Sequence, residues 1–221
     1  MVGIIIAMKK ELAPFLAGRA YQEEVRGGKT FYTVRVADKT CVIVESGIGK
    51  VNAAYAATML IREFDPEFVV STGISGGLGV SPLLSLVVAD KTVQHDVDTT
   101  GLGDPIGFVS TVNKIYFETD ENLTNTLVAV SGGKKGTLAC GDQFVSDSAR
   151  SDFIVRTFNA AACDMESGAI GQVCCVAGKK YAAIRCISDG ADEDAGLTFD
   201  ALTDKASKIL SDAVIKWIET L

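Results

Sequence analysis

Short apolar runs alternate with stretches of helical period along most of the chain. Val2 to Ala7 is apolar and β-branched and predicts a buried strand, running into a helix start at Met8, Lys9, Lys10 and Glu11. Lys29 to Val36 and Thr40 to Glu45 predict a hairpin around Ala37, Asp38 and Lys39. Asn52 to Phe64 is an alanine-rich helix stopped by Asp65-Pro66. Phe68 to Thr72 is the next strand, with a glycine-rich turn from Gly73 to Gly79, and Leu83 to Val93 is a further apolar run. A helix from Glu121 to Val130 and a strand from Gly136 to Cys140 follow. A helix capped by Ser148 then runs to about Phe158, and Ala160 to Cys163 is a strand. Glu166 opens a helix with Ala169, Ile170, Val173, Cys174 and Ala177 at helical spacing, and Gly178 is its stop. Tyr181 to Ile187 suits a strand covered on both faces, and Phe199 to Leu221 a long amphipathic helix. This alternation predicts one α/β domain of three layers over residues 1–221.

Polar chemistry gathers where strands end. The run Tyr181 to Ile187 gives way abruptly to Ser188, Asp189, Gly190, Ala191 and Asp192. Ligands of open α/β sheets bind beyond the carboxyl ends of strands, so Glu166 and Asp189 are candidates for one pocket; the alternative is a solvated acidic turn. Glu11 has two readings as well. An acid in a first helical turn faces the positive end of the helix dipole, and an acid just after a strand can serve a site. Ser46-Gly47-Ile48-Gly49-Lys50 is not a phosphate loop, because Val44 and Val51 stand where a glycine and a hydroxyl residue are needed. Gly73 to Gly79 does not meet the dinucleotide fingerprint; it is either a tight turn or a place where backbone amides meet a ligand.

Composition narrows the classes. The 221 residues are 48 % hydrophobic and 22 % charged, which suits a soluble globular chain. The net charge of −7 argues against a nucleic-acid partner. There is a single histidine, and the six cysteines form no CxxC pair, so neither a metal nor a disulfide framework is expected. His95, Asp96 and Asp98 read as a polar loop. No apolar run is long enough to span a bilayer, so no membrane role is expected. The amino terminus runs apolar first and basic second, the reverse of a secretory leader, and a cytoplasmic location is expected.

Six motifs then occur in one order: IIIAMKKE, SGIGKVNAA, STGISGGL, GDQFVSD, CDMESGAI and RCISDGAD, with LTF at Leu197 to Phe199. Together they resemble the nucleoside phosphorylase and nucleosidase superfamily, and within it the methylthioadenosine/S-adenosylhomocysteine nucleosidases. The resemblance implies a mixed, partly barrel-like central sheet wrapped by helices in an α/β/α arrangement. It also implies a homodimer, a small-molecule nucleoside substrate and no cofactor. The reaction it implies is hydrolysis of the bond between adenine and a 5′-thio-substituted ribose, through an oxocarbenium-like transition state.

Residue by residue, the resemblance implies that Asp189 protonates the purine, helped by Ser188, and that Glu11 activates the attacking water. Arg185 is implied near the acid, where it biases orientation and charge. Glu166 would accept the ribose hydroxyls, with Met165 against the sugar and Gly76 in the ribose-side turn. Phe144 would stack on adenine and the Val145 backbone would read its edge. Met8, Ile48 and Phe199 would line the sugar and thioether end. Ile74 stands where the family commonly carries serine, and Leu102 and Asp104 stand where larger aromatics are common. A carboxylate at the first turn disfavours phosphate, so hydrolysis is expected over phosphorolysis. Another 5′-modified purine nucleoside, such as aminofutalosine, remains an alternative substrate.

Overall fold

The computed structural model describes residues 1–79 and 81–221. In the first half, β1 (Val2–Ile6), α1 (Lys9–Leu16), β2 (Tyr21–Arg26), β3 (Lys29–Val36), β4 (Lys39–Glu45), α2 (Lys50–Phe64), β5 (Phe68–Gly77) and β6 (Leu86–Gln94) follow in order. The second half holds β7 (Tyr116–Glu118), α3 (Glu121–Ser131), β8 (Lys134–Cys140), α4 (Ser148–Phe158), β9 (Ala160–Asp164), α5 (Ser167–Ala177), β10 (Lys180–Asp189) and α6 (Ala195–Ile218).

The sheet is mixed and partly closed. β5 pairs with β10, β10 with β6, β6 with β8, β8 with β9, and β9 returns to β5, which closes a five-stranded barrel. From β5 the sheet continues as an open wing through β1, β4 and β3 to the edge strand β2. The seam is short: β5 and β9 run antiparallel and overlap only at Gly76–Cys163 and Gly77–Ala162. The two strands therefore approach from opposite sides and end at the same place. That overlap brings the carboxyl ends of β1, β5 and β10 together with those of β8 and β9.

Both faces of the sheet are covered, which is why the central strands read as unbroken apolar runs. Along β1, Ile4 and Ile6 face one core and Ile5 the other, as the two-residue period of a strand requires. The first core takes Leu12 and Phe15 of α1, Leu127 of α3, and Leu210 and Trp217 of α6. The second takes Ala53, Ala57 and Leu60 of α2 with Ile170 and Cys174 of α5. A large aliphatic side chain buried this way stabilises the fold by roughly 1.5–3 kcal/mol. Cys174 is buried while Cys175 is exposed, as adjacent helical positions demand.

The structure departs from the sequence reading at definite places. Gly73 to Gly77 is not a turn; it is the end of β5, where Gly73 to Gly76 pair with β10 across a bulge at Ser188 and Gly77 pairs with β9. β2, with the polar sequence YQEEVR, has no apolar alternation to announce it and exists through its pairing with β3. The three-residue β7 is held in the same way by β6. The run from Leu83 becomes strand only at Leu86, because Leu84 sits at φ 62° and breaks it. Asp147, not Ser148, caps α4, its Oδ1 accepting the Arg150 amide at 2.8 Å. Ser148 is turned instead to the Glu193 carboxylate. α6 begins at Ala195, earlier than Phe199.

Candidate active site

A cleft of about 590 Å³, counted to its open mouth, lies at the converging strand ends. Met8 and Glu11 enter from the β1–α1 junction, and Ile48 from the loop after β4. Gly76 comes from the end of β5, and Phe144 and Val145 from the loop after β8. Met165 and Glu166 follow β9, Ser188 and Asp189 end β10, and Phe199 lies in the first turns of α6. Three acidic side chains distant in sequence thus line one concavity. Phe144 and Phe199 meet edge to face with centroids 5.7 Å apart, and Ile48 and Phe144 are about half exposed at the mouth.

Glu11 makes one contact within its own helix and one across to the sheet. Its Oε2 accepts the Met8 amide at 2.9 Å, inside the first turn of its own helix. Its Oε1 leaves the helix and accepts the Ile74 amide of β5 at 2.7 Å. Burial pushes this carboxyl up to about 7, against the lowering pull of the Ile74 amide and of Arg185. Glu166 stands at the residue before α5 and does not cap it; its Oε1 accepts the Gly49 amide at 2.9 Å. Burial first, and the Asp164 charge second, push Glu166 up to about 7 as well. Asp189 is likewise raised above its ordinary value by burial. The Ser188 hydroxyl donates to its Oδ2 at 2.9 Å and the Ala191 amide to its Oδ1 at 3.0 Å.

The glycines at the end of β5 are there for these carboxylates. A Cβ on Gly73 would lie 2.9 Å from Glu11 Oε1, and one on Gly76 would lie 2.9 Å from Asp189 Oδ1. Neither glycine needs a positive φ, so close approach rather than a turn explains them.

Arg185 is the one residue of the sequence-derived set that does not line the cleft. It is buried beneath it, with Nε 2.7 Å from Asp164 Oδ2 and Nη2 donating to Ser71 Oγ at 2.8 Å. Asp164 is fixed in turn by the Ser167 hydroxyl and amide on its other oxygen. The guanidinium therefore bears on Glu11 and Glu166 through its field and faces Asp164 rather than Asp189. Ile74, noted from the sequence as a departure from the family, lines the cleft, and so do Ala7, Ser75, Gln143, Cys163 and Asp164, to which the sequence reading gave no site role. Each adjoins a motif residue, which is the signal that would have found them. Among the described residues no lysine or arginine lines the cleft, and no cluster of three or more acidic, cysteine or histidine side chains is arranged to hold a metal ion.

A closed barrel with an open wing, and buried acids at its rim, define a class found among known proteins. The sequence model of the phosphorylase superfamily matches residues 1–219. The chain belongs to that superfamily. It is 34 % identical over 215 residues to the aminodeoxyfutalosine nucleosidase of Helicobacter pylori strain ATCC 700392 / 26695, covering 94 % of this chain and 93 % of that one. It is 35 % identical over 224 residues to the 5′-methylthioadenosine/S-adenosylhomocysteine nucleosidase of Geobacillus thermodenitrificans, covering 97 % and 94 %. The solved S-adenosylhomocysteine nucleosidase of Streptococcus pyogenes, in complex with 5-methylthiotubericidin, superposes with a TM-score of 0.95. The two are 33 % identical, with 100 % and 96 % of the chains covered.

Proposed function

We propose that the protein hydrolyses the N-glycosidic bond of 5′-methylthioadenosine and S-adenosylhomocysteine, releasing adenine and the 5′-thio-substituted ribose. One observation carries this reading: the cleft presents the carboxylates of Glu11, Glu166 and Asp189 and no cation among its described lining residues. A phosphorolytic enzyme must bind an anion, and these carboxylates repel one. Water needs no such site.

The roles follow from charge development. As the glycosidic bond lengthens, the sugar becomes cationic and the purine anionic. Asp189, raised by burial, carries the proton that the purine N7 takes, and Ser188 keeps its carboxyl in line. Glu11 takes a proton from the attacking water, and a base titrating near 7 suits that work near neutrality. Glu166 accepts the ribose 2′ and 3′ hydroxyls, and Met165 packs on the sugar. Phe144 stacks on adenine, and the Val145 backbone reads the base edge. Met8, Ile48 and Phe199 receive the apolar 5′ end, and Gly76 leaves room for the acid. Arg185 supplies charge from below. A small-molecule nucleoside is the only partner this chemistry needs, and it fits a cytoplasmic enzyme of methionine salvage built as a single domain over residues 1–221.

A second reading is favoured by the Helicobacter relative: the same cleft would release adenine from aminodeoxyfutalosine, which differs at the 5′ end. A homodimer is supported by apolar side chains facing outward from the neighbouring helices α2 and α5, and by Leu102. Val51 of α2 is 80 % exposed, Val176 of α5 69 %, and Leu102 85 %.

The test is adenine release from methylthioadenosine, S-adenosylhomocysteine, aminodeoxyfutalosine and plain adenosine, with and without phosphate. Turnover of the first two without phosphate is expected. A strict phosphate requirement would overturn hydrolysis, and turnover of aminodeoxyfutalosine alone would move the assignment to the second reading.

A further inference from the structure

Behind the cleft, three side chains tie together the loops that follow β4, β6 and β8. Asp96, two residues past the end of β6, pairs through Oδ1 with Lys50 Nζ at 2.7 Å. Its Oδ2 accepts the Asp142 amide at 2.9 Å. Asp142 Oδ1 accepts the Lys50 amide at 2.7 Å, which closes the ring and caps the start of α2. The Lys50 and Asp96 side chains are only 19 % and 17 % exposed, so salt screens this pair less than an ordinary surface pair.

The ring is one residue from the cleft on two sides. Gly49 precedes Lys50 and donates its amide to Glu166 Oε1. Gln143 and Phe144 follow Asp142 into the cleft lining. The site is also tightly packed, since a Cβ on Gly141 would meet the His95 ring at 2.5 Å and one on Gly49 would meet Asp142 Oδ1 at 3.0 Å. His95 is buried, with Nδ1 2.8 Å from Arg150 Nη2, and burial and that guanidinium push it down to about 4, so the ring stays neutral.

We propose that Asp96, Lys50 and Asp142 form a positioning latch that holds the Gly49 amide on Glu166 and Phe144 over the cleft. The latch deepens the nucleosidase reading and rests on it for its effect on turnover. Its own effect on Glu166 is separate. The groups bearing on that carboxyl are Asp164 and Glu11, which raise its pKa, and Arg185 and the Gly49 amide, which lower it. Loosening the latch withdraws the Gly49 donor, so Glu166 titrates higher.

The experiment follows Glu166 by carboxyl carbon NMR in ligand-free wild type, Asp96→Asn, Lys50→Met and the double variant, with Glu166→Gln assigning the signal. Each single variant is expected to raise the midpoint by about one pH unit, and the double variant no further. In parallel, kcat/KM for adenine release should fall about tenfold, the scale of a sub-ångström misplacement. The titration needs no turnover. Wild type inactive on every nucleoside would overturn the proposed reaction and leave the latch to be decided by the midpoint alone. A midpoint that stays put in either folded single variant overturns the latch. Should Asp96→Asn fail to fold, Lys50→Met decides it.

Discussion

Replacing Gly73 by alanine tests how closely Glu11 is held. The new Cβ would lie 2.9 Å from Glu11 Oε1 and 3.8 Å from Arg185 Cζ. Ordinary carbon–oxygen contact is about 3.4 Å or more, so the carboxylate must retreat by about half an ångström. The direction of retreat is away from β5, and it stretches the 2.7 Å bond from the Ile74 amide. A hydrogen bond to a charged acceptor is worth about 1.5–3 kcal/mol, so its loss corresponds to roughly a ten- to hundredfold fall in kcat/KM. Loss of the base altogether would cost about 10²- to 10⁴-fold, which bounds the effect from above. The Ile74 amide is also the largest of the influences holding Glu11 down, so the acid limb of the kcat/KM profile should move up from about pH 7. Gly73 lies within β5 without a positive φ, so alanine suits the backbone and the melting temperature should stay within a few degrees of wild type. Adenine release across pH, with a thermal melt of the same sample, reads all three quantities. A wild-type kcat/KM with an unmoved acid limb would refute the reasoning.

Further outcomes follow from the same geometry. Asp189→Asn should cost at least about a hundredfold in turnover while calorimetric titration with a non-hydrolysable nucleoside analogue still shows binding; wild-type-like turnover would remove it as the acid. Glu11 and Glu166 rise on folding from 4.5 to about 7, while His95 falls from 6.5 to about 4. Between these ordinary values the folded state holds two carboxyl protons against one imidazole proton in the unfolded state. The stability from the raised carboxyls is full below 4.5 and is lost as pH rises through 7, whereas that from His95 is full above 6.5. Urea unfolding of the ligand-free protein should therefore show stability declining between about pH 4.5 and 6.5; a steady rise would contradict the burial of these acids. Leu60→Ala, in the core between α2 and the sheet, should lower the urea midpoint by the equivalent of about 2–5 kcal/mol without changing the m-value. Val176→Glu should shift a dimer toward monomer in sedimentation velocity, and an unchanged dimer would place the interface elsewhere.

Elements that carry their own pattern were legible before any coordinates. β1, β3 and β4 announce themselves by β-branched runs, α2 by alanine and Asp65-Pro66, and α5 by period and Gly178. β2 was not, because a partner strand rather than an apolar face holds it, and the three residues of β7 are too few to show a period although Phe117 is fully buried. Barrel closure rests on a two-residue overlap at Gly76 and Gly77, which no local pattern encodes. Gly73 to Gly77 reads as a turn because glycine serves both turns and close contacts; only the positions of Glu11 and Asp189 distinguish the two. At the site, the acids were visible as charge placed after strands. The inward setting of Arg185 and the ring of Asp96, Lys50 and Asp142 were not, since the first depends on Asp164 and Ser71 from two other strands and the ring on partners more than forty residues apart.

The division of labour among the acids is tested most directly by Glu11→Gln. Turnover of methylthioadenosine and its binding are measured on the same protein under single-turnover conditions. The expected result is intact nucleoside bound in the cleft with adenine release slowed by at least about a hundredfold. Hydrolysis at the wild-type rate would mean that Glu11 does not activate the water, and the account of the cleft would fail with it.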